Sequence, residues 1–68
     1  MSKEVLIKFG QTVKKERLKK HLSQEELATR AGVHRTYVGM IERAEKNITL
    51  GNIEKLAKAL DISIKNLF

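Results

Sequence analysis

The sequence predicts an all-α domain of five short helices, and three observations carry that prediction. Polar capping residues stand ahead of apolar residues spaced three and four apart, the spacing that lines one face of a helix. No stretch alternates apolar and polar residues long enough to form a half-buried strand. Proline is absent, and glycine occurs only at 10, 32, 39 and 51, where with the caps it divides the chain into short pieces.

The first helix is expected from about Lys3 to Lys20 with Ser2 as N-cap. Val5, Leu6, Phe9 and Val13 share its inward face, and Lys8, Lys14, Lys15 and Lys19 spread over the rest. Glu16 is the exception, an acid on the apolar face that either pairs with a nearby lysine or loosens the helix. Ser23-Gln24-Glu25-Glu26 is a capping box that starts the second helix, which turns Leu27, Ala28 and Ala31 inward and stops at Gly32. After a turn holding Val33, a third helix runs from Arg35 to Ala44 with His34 at or near its cap. Thr49 caps a fourth that reaches about Leu60, with Ile53, Leu56, Ala57 and Leu60 on one stripe. Ser63 can cap a last short helix through Ile64, Leu67 and Phe68.

Length and composition narrow the function. A chain of 68 residues makes one domain, residues 1–68. One this short hides only about 60% of its unfolded surface, so it needs regular packed helices, a partner subunit, or both. Without cysteine it has no disulfide scaffold, thiolate metal site or cysteine nucleophile. The two histidines are isolated, and no Ser/His/Asp set, HExxH motif or phosphate-cradling glycine loop occurs, so no enzyme, cofactor or metal is expected. No apolar run approaches the ~18 residues of a membrane span and no signal-peptide pattern opens the chain; a cytoplasmic protein without a membrane partner is expected. Fourteen Lys and Arg against eight Asp and Glu give a net charge of +6, a field that draws polyanions, most often nucleic acid.

The second and third helices, joined by a tight glycine-containing turn, form a helix-turn-helix unit, whose second helix usually enters the DNA major groove. Stepping roughly 100° per residue from Val38 puts Ile41 beside it on the core side and Thr36, Met40 and Arg43 on the opposite side. Arg35 lies partway round, in the first turn and long enough to reach outward. That outer face carries no acid, which suits a phosphate-lined groove. Met40 is placed to meet a thymine methyl, or to fill a gap. Gly39 costs about 1 kcal/mol relative to alanine inside a helix, and close approach to DNA is the reason favoured over helix–helix contact.

The stretch Leu22 to Ala28, Ala31-Gly32-Val33, Arg35-Thr36-Tyr37 and Ile41-Glu42-Arg43 resembles the helix-turn-helix domain of phage repressors and Cro proteins. Arg35 to Val38, Ile41 to Arg43 and Asn47-Ile48-Thr49 are most similar to the controller proteins of restriction–modification systems. The resemblance covers almost the whole chain and implies a lambda-repressor-like fold and a homodimeric transcription regulator on double-stranded operator DNA. It implies that Arg35 reads a base edge, most naturally guanine, and that Thr36 reaches bases or a phosphate. Tyr37 would reach a phosphate through its hydroxyl, or cover the core edge. Arg43 would serve the groove or backbone. Gln24 would offer its amide and the helix N-terminus to a phosphate, and Lys46 and Asn47 would contact backbone from the following loop. Arginine is more usual at position 46, so Lys46 is expected to act as a point charge. The resemblance also implies a structural ion pair between Arg17 and Glu42, and a left-handed backbone at His21, where the family usually has glycine.

Ile48, Ile62, Ile64, Leu67 and Phe68 crowd apolar groups around the start of helix four and the chain end, and are the expected two-fold interface. RNA polymerase is a further candidate partner, through exposed acids such as Glu25. The competing reading is an antitoxin or adaptor whose main partner is a protein and whose DNA binding is autoregulatory; the partner-binding tail that it calls for is not seen before Phe68.

Overall fold

A computed structural model describes residues 2–68. Four α-helices follow one another, α1 (Lys3–Lys19), α2 (Gln24–Ala31), α3 (Arg35–Glu42) and α4 (Leu50–Leu60), and a 3-10 turn (Ile64–Leu67) follows them. No strand occurs among the described residues.

Each α-helix starts on a side chain that satisfies an orphan backbone N–H. Ser2 Oγ accepts from Val5 at 3.2 Å, Thr49 Oγ1 from Asn52 at 3.2 Å, and His34 Nδ1 from Thr36 at 3.1 Å. At α2 the box is reciprocal: Ser23 Oγ accepts from Glu26 N–H at 2.9 Å, and Ser23 N–H donates to Glu26 Oε1 at 2.9 Å. The Ser23 backbone N–H, and after it the neighbouring Ser23 hydroxyl group, hold the Glu26 carboxyl below its ordinary pKa.

The helix ends share one device. A left-handed residue follows each, with φ 57° at His21, 72° at Gly32, 58° at Ala44 and 56° at Asp61. The next N–H then reaches back to the last turn: Leu22 to the Arg17 carbonyl at 3.1 Å, Val33 to Ala28 at 3.0 Å, Glu45 to Met40 at 2.8 Å, and Ile62 to Ala57 at 3.0 Å. Ala44 therefore ends α3 at Glu42, two residues before the expected stop, although alanine pays a steric cost in that conformation. Glycine ends a helix only at Gly32; Gly10, Gly39 and Gly51 lie within α1, α3 and α4.

Phe9, Val13, Leu27, Val38, Leu56, Leu60 and Leu67 form the fully buried centre, to which each α-helix and the closing turn contribute. Val5 is not part of it: it is 39% exposed, and Leu6 is half-buried. Gly10 is deeply placed for a packing reason. A Cβ there would collide with the Ile41 carbonyl oxygen and lie 3.0 Å from that of Glu42, so α1 meets the end of α3 backbone to backbone. The expected interface group divides. Leu67 (0% exposed) and Ile48 (8%) are spent on the chain's own core, Ile62 is half-buried against it, Ile64 is exposed, and Phe68 turns one face to the core and leaves 47% of its surface exposed. Ser63 makes no side-chain cap bond, and Phe68 stacks on Phe9 with ring centroids 5.2 Å apart.

Candidate nucleic-acid interface

The sequence Ala31-Gly32-Val33-His34 sets the angle between α2 and α3: Gly32 supplies the left-handed residue, Val33 tucks against the core, and His34 caps the next helix. Val38 and Ile41 then anchor α3. With those two inward, Arg35, Thr36 and Arg43 are exposed and Met40 is half-buried. Lys46 and Asn47 are exposed in the segment between α3 and α4.

Behind that face lies a polar cluster. Arg17 donates to Glu42 through two nitrogens, Nε to Oε2 at 2.7 Å and Nη2 to Oε1 at 3.0 Å, while its Nη1 donates to the Leu22 carbonyl at 2.8 Å. The two side chains are 9% and 3% exposed, so little water competes with the pair. The hydrogen bond to Glu42 is the main reason the Arg17 guanidinium is raised above its ordinary pKa. Gln24 Nε2 adds a bond to Glu42 Oε1 at 3.1 Å. No buried side-chain nitrogen or oxygen among the described residues lacks a partner.

Gly39 lies in the same neighbourhood and is buried. A Cβ there would stand 3.0 Å from Arg43 Nη1 and 3.4 Å from Gln24 Oε1, so two side chains assigned to DNA cross over its bare backbone. Tyr37 is half-buried against the core, and its hydroxyl accepts from Asn52 Nδ2 at 3.0 Å. The hydroxyl hydrogen remains for another acceptor. Glu16 is 18% exposed in its side chain and lies 3.5 Å from Lys19 Nζ.

Three contacts were not legible in the sequence. Arg35 Nη1 donates to Glu25 Oε2 at 2.9 Å, and Arg43 Nε lies 3.0 Å from Glu45 Oε1. Both acids sit where a helix begins or has just ended, positions that read as dipole or loop residues. Asn52, the partner of Tyr37, gave no sign beyond its place in the first turn of α4.

The short paired helices, the outward basic face of the second and the ion pair behind it define a helix-turn-helix protein. The chain belongs to the Helix-turn-helix family, whose pattern matches residues 13–67. It is 46% identical over 68 residues to Control protein C.BamHI of Bacillus amyloliquefaciens, an alignment covering 98% of this chain and 84% of that one. The crystal structure of the restriction-modification controller protein C.AhdI from Aeromonas hydrophila is similar throughout. Its TM-score is 0.91 at 52% identity, over 93% of this chain and 96% of that one. The biofilm master regulator SinR in complex with DNA matches with a TM-score of 0.83 at 38% identity, over 87% of this chain and 95% of that one.

Proposed function

We propose that the chain is a sequence-specific DNA-binding transcription regulator of the restriction–modification controller type, acting as a homodimer on a roughly palindromic operator. The observation that carries this reading is the outer face of α3, where Arg35, Thr36 and Arg43 are exposed and Met40 half-exposed, while its one acid, Glu42, is turned inward to Arg17. The relatives named as controllers support the type, and the likeness to SinR supports DNA as the ligand.

In this reading α3 enters the major groove. Arg35 takes a guanine edge, Thr36 and Arg43 flank it, and Met40 meets a thymine methyl. Gln24, Tyr37, Lys46 and Asn47 hold phosphates and fix the register. The Arg17–Glu42 pair keeps α3 at its angle to α1. Two copies would place their α3 helices about 34 Å apart, one turn of DNA. The test is selection of bound duplexes from a random pool, followed by footprinting. A salt-sensitive footprint on a site with two-fold symmetry and half-sites one turn apart is expected. Absence of any preferred duplex, together with tight capture of a toxin-like protein, would overturn the reading.

A further inference from the structure

We propose that Glu25 is a specificity-determining positioning residue: it holds Arg35 by one nitrogen and leaves the opposite edge of the guanidinium free to read a base. The inference rests on the DNA-binding reading above. Glu25 lies in the first turn of α2 and Arg35 in the first turn of α3, so the pair spans the turn between the helices. The contact uses Arg35 Nη1 alone, at 2.9 Å from Glu25 Oε2, and leaves the Nε–Nη2 edge uncommitted.

Arg17 shows the same division of labour completed. Its Nη1 is held by the Leu22 carbonyl at 2.8 Å, and its Nε–Nη2 edge grips the two oxygens of Glu42 at 2.7 and 3.0 Å. Guanine offers an equivalent pair of acceptors, O6 and N7, to such an edge. Arg35 thus keeps Glu25 while taking guanine. Contact with a backbone phosphate is different, because it draws a carboxylate towards a phosphate of like charge. Glu25 therefore favours the base-reading use of Arg35 and discourages its sequence-blind use. The pair is accessible for this, with side chains 67% and 68% exposed. Its exposure also limits its strength to a factor of about 1.5 to 5 in an equilibrium constant.

The test compares operator and random duplex binding, with the operator taken from the selection described above. Glu25→Ala is expected to lower the operator-to-random affinity ratio by about 3-fold, within the range for exposed pairs. It is also expected to steepen the log–log salt dependence on random DNA by about one phosphate contact. Glu25→Gln, which still accepts from Nη1, should keep more of the ratio than Glu25→Ala. Folding is not at stake, since the cap bonds of α2 run between Ser23 and Glu26. Glu54→Ala removes an exposed acid of α4, 3.9 Å from Lys58, and reports the effect of charge alone. The inference is overturned if Glu25→Ala and Glu54→Ala act alike, if the ratio does not fall, or if Glu25→Ala still lowers it in an Arg35→Ala background. A wild-type chain without any preferred duplex would instead remove the DNA reading itself, and this inference with it.

Discussion

Gln24 and Glu42 join the two helices of the helix-turn-helix by one hydrogen bond of 3.1 Å, made to the same carboxylate oxygen that takes Arg17 Nη2 at 3.0 Å. One acid on α3 thereby ties α1, α2 and α3 together at a point next to Gly39 and Arg43.

Removing that acid leaves Arg17, 7% exposed, with only the Leu22 carbonyl. Glu42→Ala is expected to cost about 3 kcal/mol, as is typical when one partner of a buried pair is deleted. Urea denaturation measures it, and an unchanged midpoint would show that the pair contributes nothing.

Two glycines inside helices should respond with opposite signs to alanine. Gly51 has Thr49 Oγ1 at 4.0 Å as its nearest neighbour, so Gly51→Ala should stabilise by about 0.5 kcal/mol. Gly10→Ala drives a methyl into the carbonyls of Ile41 and Glu42, and overpacking of about 1–3 kcal/mol exceeds the helix-propensity gain. Calorimetric midpoints moving in the same direction would contradict the packing described.

Arg35→Ala is expected to weaken operator binding by about 1–3 kcal/mol and to relax preference at one base pair per half-site. Equal loss on operator and random duplexes, measured by titration, would make Arg35 a phosphate contact only.

The apolar chain end should separate into two kinds of residue. Ile64 (36% exposed) and Phe68 (47%) have surface open to a partner subunit, and Leu50, 72% exposed at the start of α4, is a further exposed apolar side chain. Ile64→Asp is expected to shift a dimer towards monomer in analytical ultracentrifugation at micromolar concentration, and Phe68→Asp to do the same while also losing the stack on Phe9. Leu67→Ala should instead destabilise the fold, by about 2–5 kcal/mol for a buried leucine. A wild-type monomer that binds one half-site as tightly as a full palindrome would sink the dimer.

Acid should loosen the start of α2. The Glu26 carboxyl is lowered in the folded chain, so its contribution is complete above the unfolded pKa and is lost as pH falls through the folded one. Glu26→Gln should flatten that part of the stability–pH profile. A profile unchanged by the substitution would show that the box bonds are absent in solution.

Local chemistry was the part that could be read ahead of the structure. Ser23 with Glu26, and Thr49 before α4, announce themselves because a cap bond spans three residues. Ala44 could not be read that way: nothing in alanine favours a positive φ, and the turn is held by the Glu45-to-Met40 bond it closes. Sorting Leu67 from Ile64 and Phe68 required the closing turn packed against α1 and α4. The Glu25–Arg35 contact crosses a turn whose angle no residue spacing encodes. Arg17 and Glu42 are also distant in sequence, and only likeness to other chains brought them together beforehand.

The close approach of Gly10 to Ile41 and Glu42 means that α3 is gripped from behind, by residues that do not overlap those on its outer face. Heredity can act on the two sets separately. If the outer face reads DNA as proposed, a descendant that exchanges Arg35 or Thr36 would acquire a new address on the chromosome while inheriting an intact scaffold. One that loses the bare backbone at position 10 is expected to lose every address together.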